Sequence, residues 1–165
     1  MREHCREHDR KHPHQLLEIV YMSEPDQTLT DRDIIDILES SQENNEELCL
    51  TGVLFYDGRH FLQVLEGPNR SAWKIYSEIL ADPRHRNVVT IHEGPIHKRA
   101  FNQWGMAYRR IDPDSEILRL AREQLEEGEA VDPSIIHVGA LIERANRAGK
   151  EFVWTARPRA TTKPH

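Results

Sequence analysis

The stretch of sequence that decides the fold is residues 51–67, which read TGVLFYDGRHFLQVLEG. Two largely apolar segments, residues 53–56 and residues 60–66, flank the dipeptide Asp57-Gly58. An Asp-Gly pair between two such segments is a strong signal for a tight turn that joins antiparallel strands. The stretch therefore predicts a β-hairpin.

Further regular elements are predicted on both sides of this hairpin from capping residues and apolar spacing. Thr30 and Asp33 form a loose capping box at the start of one helix, and Pro83 stops another. The order β-α-β-β-α-β-β indicates an α+β fold, a ferredoxin-like βαββαββ mixed sheet with both helices on one face. The predicted elements are a strand at 16–21, a helix at 31–45, the hairpin, a helix that starts at Pro68 and Asn69, and strands at 87–92 and 101–108.

The two ends of the chain differ from this folded part, which we place at residues 16–110. Residues 1–15 hold four of the ten histidines and few apolar side chains, so they are expected to form a disordered His-rich tail. Two amphipathic helices in residues 111–150 predict a C-terminal helical hairpin. It should lie on the sheet face opposite the two helices of the folded part. Residues 151–165 are expected to be frayed.

Composition restricts the partners and the compartment. The 165-residue chain has a net charge of -6, so it lacks the global basic field that would hold a nucleic acid or an anionic membrane. Cys5 and Cys49 are too few for a disulfide framework, and a cytoplasmic location is expected. A helical tail would align His4, His8 and His12, but a solvated tail without a metal site is the simpler interpretation.

Several polar side chains stand at positions that face the predicted core. Ile37, Ser41 and Asn45 follow one another at intervals of four on the first helix and therefore share one stripe. Gln63 lies in an otherwise apolar part of the second hairpin strand. A buried polar group that lacks a hydrogen bond costs about 1 to 3 kcal/mol. These groups therefore either bond to nearby backbone or hold a polar ligand between helix and sheet.

The short segments Tyr21-Met22-Ser23, Ser41 with Asn44-Asn45, residues 50–56, residues 61–68, Asp82-Pro83-Arg84-His85 and residues 99–106 belong together by their order and spacing. Taken together, they resemble the BLUF family of blue-light sensors that use FAD. The resemblance covers about residues 16–108 and implies a flavin isoalloxazine ring between the two helices of a ferredoxin-like domain. The chain is similar to the short, stand-alone members of that family.

The resemblance also implies roles for individual residues. Tyr21 would be the photochemical donor of an electron and a proton, and Gln63 would lie between Tyr21 and the N5/C4=O edge of the flavin. Asn45 would hold the C4=O and N3–H edge. Trp104 and Met106 would be the alternating pair on the last strand that reports the switch. The other expected flavin-binding residues are Ile37, Ser41, Asn44, Arg84 and His85.

The function that the resemblance implies is that of a photoreceptor that is not an enzyme. Rearranged hydrogen bonds at Gln63 would signal to a separate partner protein. A glutamine amide carries one acceptor and two donor hydrogens, so its rotation or tautomerisation reverses the local pattern without burying a charge. The expected cofactor is FAD, with FMN or riboflavin as possible substitutes, and the expected partners are a downstream signalling protein and further copies in a homo-oligomer.

Two other functions remain open at this point. A ferredoxin-like sheet also supports acylphosphatase-like hydrolysis, for which Arg84 with Asn45 is the candidate pair. The same fold hosts small-molecule-binding regulatory modules that have no photochemistry. A purified yellow protein with a flavin spectrum would exclude the hydrolase, whereas phosphatase activity in a colourless protein would exclude the photosensor.

Overall fold

A five-stranded mixed sheet organises the chain in a computed structural model that describes residues 1–101, 105–115, 117–119 and 121–122. The strand order is β4-β1-β3-β2-β5, and β5 runs parallel to β2 while the other neighbours are antiparallel. The elements are α1 (Glu3–Lys11), a 3-10 turn (Pro13–Gln15), β1 (Leu16–Pro25), α2 (Asp31–Glu47), β2 (Thr51–Tyr56), β3 (Phe61–Pro68), α3 (Asn69–Ala81), β4 (His85–Ile96) and β5 (Ala107–Arg110).

The predicted hairpin is confirmed as β2 and β3. One carboxylate oxygen of Asp57 accepts the backbone N–H groups of Arg59 and His60, at 2.7 and 2.6 Å. Gly58 adopts a φ of 97°, in the left-handed region that favours glycine. The turn therefore needs both residues of the Asp-Gly pair, one for its side-chain acceptor and the other for its backbone.

Both predicted helices lie on one face of the sheet, as expected. The capping box of α2 is present, since Thr30 Oγ1 accepts the N–H of Asp33 and an oxygen of the Asp33 carboxylate accepts the N–H of Thr30. Helix α3 ends at Ala81, just before Pro83. The core between these helices and the sheet includes Ile19, Tyr21, Ile34, Leu38, Leu54, Phe61, Leu65, Ala72, Ile75, Tyr76 and Met106.

A second apolar cluster covers the opposite face of the sheet. Residues 117–119 and 121–122 are helical, and Ile117, Leu118 and Ala121 are buried against this face. Most of the predicted C-terminal hairpin, all of residues 151–165, and Trp104 lie outside the described residues. No helix in the described part of the chain is long and apolar enough to cross a membrane.

The N-terminal segment is not a disordered tail, and that prediction is wrong. Residues 3–11 form α1, and a disulfide joins Cys5 to Cys49, although the composition predicts no disulfide. Asp9 is bound by the buried guanidinium of Arg99 through two contacts of 2.6 and 2.8 Å. One covalent bond and one ion pair thus compensate for the shortage of apolar side chains in this segment.

The later strands also differ from their predicted bounds. Strand β4 runs from His85 to Ile96 and is longer than the predicted 87–92. The sequence gives too short a strand here because this edge strand is largely exposed and has little apolar alternation. Strand β5 begins only at Ala107. Asn45 and Gln42 of α2 donate their side-chain amides to the carbonyls of Gly105 and Met106, so the chain bends before β5.

Candidate functional site

A cleft opens between α2 and α3 above the central strands of the sheet. Its enclosed part has a volume of about 100 Å³, and the cleft continues into open solvent. All seven residues predicted to bind the cofactor line this cleft, although they come from three different elements and a loop. These residues are Ile37, Ser41, Asn44, Asn45, Gln63, Arg84 and His85.

Tyr21 and Gln63 form a hydrogen-bonded unit at the base of the cleft. They stand directly opposite each other in the antiparallel register of β1 and β3. The Tyr21 hydroxyl donates to Oε1 of Gln63, and the phenol is fully buried. Burial raises the pKa of Tyr21 well above its ordinary value, and Tyr76 and Asp82 act in the same direction. The phenol is therefore held neutral, with its proton directed at a glutamine oxygen.

The amide nitrogen of Gln63 points toward Met106. Nε2 lies 3.6 Å from the Met106 sulfur, and both side chains are buried. A thioether is a weak acceptor, so this contact orients the amide without satisfying both of its hydrogens. The Gln63 amide group is thus held by a strong partner at its oxygen and by a weak partner at its nitrogen.

The two polar side chains of the α2 stripe, Ser41 and Asn45, each donate to a backbone carbonyl. Ser41 Oγ donates to the carbonyl of Ile37 at 2.7 Å, and Asn45 Nδ2 donates to the carbonyl of Gly105 at 2.8 Å. Asn45 is buried at the cleft wall, whereas Asn44 is exposed at its rim. The Asn45 amide therefore connects α2 to the segment that carries Met106.

A charged pair and a neutral imidazole border the other side of the cleft. Nε and Nη2 of Arg84 donate hydrogen bonds to the Asp82 carboxylate at 2.9 and 2.6 Å. Burial lowers the pKa of His85 against a weaker opposing effect of Asp82, so the imidazole is neutral. Its Nδ1 lies 3.1 Å from Ser23 Oγ. Asp82 thus binds the Nε–Nη2 edge of the Arg84 guanidinium.

Sequence reasoning missed several residues that shape the cleft. Asp82 and Ser23 were within motifs that resemble the family, Asp82-Pro83-Arg84-His85 and Tyr21-Met22-Ser23, and their spacing to Arg84 and Tyr21 was an available signal. The apolar lining from α3 had no separate signal, because its residues follow the same helical period as the core. The missed lining residues are Ser40, Leu54, Ile75, Glu78, Ile79 and Asp82.

The lining fits a flat heteroaromatic ring with polar edges. Ile37 of α2 and Ile75 and Ile79 of α3 supply apolar contact from the two helices. Amide groups of Asn45 and Gln63 stand at the same cleft and can serve as donors and acceptors for ring nitrogens and carbonyls. A flavin has this combination of apolar faces and hydrogen-bonding edges. The residues present therefore fit a flavin.

The fold and the site together define a class of protein. Its members are ferredoxin-like α+β domains with a ligand cleft between two helices and a buried Tyr–Gln pair below the cleft. The profile of the family described as "BLUF: Sensors of blue-light using FAD" matches residues 16–107, more than half of the chain. The chain belongs to this family, which confirms the resemblance of its motifs.

Curated relatives share this part of the sequence. The photoactivated adenylate cyclase subunit beta of Euglena longa is 36% identical over 86 residues, which cover 52% of this chain and 10% of that protein. The blue light- and temperature-regulated antirepressor BluF of Escherichia coli is 36% identical over 73 residues, which cover 44% of this chain and 18% of that protein. The chain thus matches a small part of each relative.

Solved structures show the same fold. The dark-state structure of BlrB, a BLUF protein, superposes with a TM-score of 0.60 at 28% identity and covers 79% of this chain and 97% of that one. A bacterial light-regulated adenylyl cyclase superposes with a TM-score of 0.57 at 28% identity, over 82% of this chain and 36% of that one. The ferredoxin-like prediction is confirmed.

Proposed function

We propose that this chain is a blue-light receptor that binds FAD non-covalently between α2 and α3, with FMN or riboflavin able to substitute. The observation that carries the proposal is the buried hydrogen bond from the Tyr21 hydroxyl to Oε1 of Gln63, at the base of the cleft. A core Tyr and a core Gln would need no cleft beside them. Here the same glutamine belongs to both the buried pair and the cleft wall.

Tyr21 is the proposed donor in the light reaction. A bound flavin supplies, on absorbing blue light, an excited state that accepts one electron and one proton. The Tyr21 phenol holds that proton in the dark because burial raises its pKa, and its hydroxyl already directs the proton at Gln63 Oε1. The electron and the proton return to Tyr21 oxygen when the cycle closes, so the protein undergoes no net oxidation.

Gln63 is the proposed switch. When the Tyr21 hydroxyl no longer donates, Oε1 of Gln63 loses the bond that fixes its amide, and the thioether of Met106 is too weak an acceptor to hold Nε2 in place. Rotation or tautomerisation of the amide then presents a donor where an acceptor stood, or the reverse. This exchange involves neutral groups, so it avoids the cost of a buried charge.

Met106 and Asn45 are the proposed route by which the exchange reaches the rest of the domain. Met106 contacts the Gln63 amide and its carbonyl binds Gln42 of α2, while Asn45 holds the neighbouring carbonyl of Gly105. A change at Gln63 therefore acts directly on the segment that leads into β5. We place Trp104 on this route from its spacing to Met106 in the sequence alone.

The proposed output is contact with a separate partner protein, in a chain that acts in the cytoplasm, forms a homo-oligomer and has no catalytic activity of its own. The relatives named above are an antirepressor and adenylate cyclases, so light sensing is coupled to different outputs in different proteins. Within this chain, we assign the family-matched residues 16–107 to flavin binding and switching.

The experiment that tests the proposal begins with the purified, full-length chain in the dark. Its visible spectrum should show a flavin. Acid denaturation should release this flavin, because it is not covalently attached, and mass spectrometry of the released compound should identify FAD. A blue-light pulse should shift the flavin bands to the red, and the shift should reverse in the dark. A colourless protein that cannot be loaded with flavin, or a flavin whose bands do not shift, would contradict the proposal.

A further inference from the structure

Helix α1 has little apolar contact that could hold it in place. Within this nine-residue helix, all of it described, Cys5 is the one buried residue. A helix of this length is marginal in water on its own and depends on tertiary contacts. Its ion pairs of Arg6 and Arg10 with Glu3 and of Lys11 with Glu7 are internal to the helix and exposed. Such pairs contribute little to docking.

Asp9 and Cys5 connect α1 to the rest of the domain at different points. Asp9 binds Arg99, whose guanidinium also donates to Thr51 Oγ1 at 3.1 Å and to the Glu66 carbonyl at 3.0 Å. Cys5 is bonded to Cys49, with the two Cα atoms 5.3 Å apart. The disulfide is therefore the anchor whose presence depends on redox conditions, while the ion pair does not.

The surroundings of the disulfide favour exchange with an external thiol. Cys49 is partly exposed in the loop after α2, whereas Cys5 is buried in the first turn of α1. His4 Nε2 lies 3.3 Å from the Cys5 sulfur. A helix N-terminus and a neighbouring imidazole both stabilise a thiolate, so Cys5 is the better leaving group and Cys49 is the accessible point of attack.

We propose that Cys5–Cys49 is a thiol–disulfide exchange site for a dithiol reductant, and that its reduction releases α1 from the flavin domain. A thiolate of the reductant attacks the Cys49 sulfur, the Cys5–Cys49 bond breaks, and Cys5 leaves as a thiolate that then takes up a proton. The second thiol of the reductant attacks the mixed disulfide and frees Cys49. Two electrons and two protons pass to the chain, and the reductant becomes a disulfide.

The proposal reconciles the helix with the composition of the N-terminal segment. Residues 1–15 lack the apolar surface that would order them, and they are ordered where a covalent bond compensates for this. The oxidised chain would present α1 against the end of α2, and the reduced chain would expose a flexible, His-rich arm. The same residues would thus offer two different surfaces to a partner, independently of light.

Hydrogen exchange on the full-length chain, with and without dithiothreitol, tests this proposal. The amides of α1 should exchange at least about tenfold faster in the reduced protein, while the amides of β3 keep their protection. Cys5→Ser and Cys49→Ser should show the fast α1 exchange in both conditions. Trypsin provides a second readout, because Arg6 and Arg10 should be cleaved readily only after reduction.

Kinetics of reduction separate an exchange site from an inert structural disulfide. His4→Ala should slow the reduction of Cys5–Cys49 several-fold, because the leaving thiolate loses its neighbouring imidazole, and His12→Ala is the matched control that should not. Unchanged α1 exchange after complete reduction would overturn the proposal. So would loss of protection in β3 on reduction, or a disulfide that dithiothreitol leaves intact. None of these readouts requires bound flavin.

Discussion

Gln63 lies between the proposed donor, Tyr21, and the proposed flavin site, because one amide group faces both the phenol of Tyr21 and the cleft. Its position follows from strand geometry. Alternation along β3 puts Gln63 on the helix side, and the β1–β3 register puts Tyr21 opposite it. A shift of the register by one residue would turn the amide to the other face of the sheet. The residue-scale mechanism therefore depends on the register between β1 and β3.

Asn45 and Asn44 are adjacent in the sequence but should contribute unequally to flavin binding. Asn45 is buried at the cleft wall and holds the Gly105 carbonyl, whereas Asn44 is exposed. Asn45→Ala should therefore lower flavin occupancy after purification more than Asn44→Ala does. Absorbance at the flavin band relative to the protein band measures this. Equal occupancy in the two variants would contradict the assignment.

At the residue scale, the sequence predicted which side chains gather at the cleft but not how they bond. The interval of four on α2 was enough to place Ile37, Ser41 and Asn45 on one stripe. It could not show that Asn45 bonds to Gly105, because that contact joins residues sixty positions apart. Likewise, the pairing of Arg84 with Asp82 depends on the conformation of the turn after α3.

At the scale of elements, β1 and β3 are also joined by two carboxyl groups on the face away from the cleft. Glu18 and Glu66 are opposite each other in register and both are buried. Burial, together with the neighbouring Glu66, raises the pKa of Glu18 to about 8. The Glu66 carboxylate accepts the N–H groups of Ala100 and Phe101 at 3.0 and 2.9 Å. Glu18 is therefore the protonated member at neutral pH.

This pair predicts a specific dependence of stability on pH. Because folding raises the pKa of Glu18 from 4.5 to about 8, its contribution is fully present below pH 4.5 and is lost as the pH rises toward 8. Glu18→Gln keeps a donor to Glu66 and removes the titration. Urea unfolding measures the free energy of unfolding of both proteins. The difference, variant minus wild type, should increase by more than about 1 kcal/mol between about pH 5 and about pH 8.

The control for this comparison is Glu93→Gln on β4, whose carboxyl is exposed. It should follow the pH profile of the wild type throughout. If Glu18→Gln also follows that profile, Glu18 does not carry a buried proton.

Elements with a strong local signal were predicted well, and those set by distant contacts were not. The hairpin and both helices over the cleft follow from a turn pair, a capping box and apolar spacing, all local features. Helix α1 depends on bonds from Cys5 and Asp9 to residues 44 and 90 positions away. The start of β5 depends on side chains of α2 that take the carbonyls of Gly105 and Met106.

At the scale of the whole molecule, the sheet separates two cores that should respond differently to substitution. Leu118 is fully buried on the face opposite the cleft. Leu118→Ala should lower the free energy of unfolding by about 2 to 5 kcal/mol, yet leave the light-induced shift of the flavin bands intact. Denaturant unfolding and difference spectra measure the two effects, with Asp114→Ala as an exposed control. Loss of the shift in folded Leu118→Ala would show that this face builds the photosite.

We propose that Tyr21 and Gln63 switch the flavin, beyond any part they have in binding it. Two variants separate these roles, since Tyr21→Phe removes only the hydroxyl and Gln63→Leu removes the amide at similar volume. Both should retain flavin, because neither removes the apolar walls of α2 and α3. If the two residues were only core, both changes would cost mainly stability, about 1 to 3 kcal/mol for a broken buried hydrogen bond.

The most direct measurement is a light-minus-dark difference spectrum of the wild type, Tyr21→Phe and Gln63→Leu at matched flavin content. We expect a reversible red shift in the wild type and no shift in either variant. A reversible shift of normal size in both variants would show that Tyr21 and Gln63 do not switch the flavin, even in a chain that binds it.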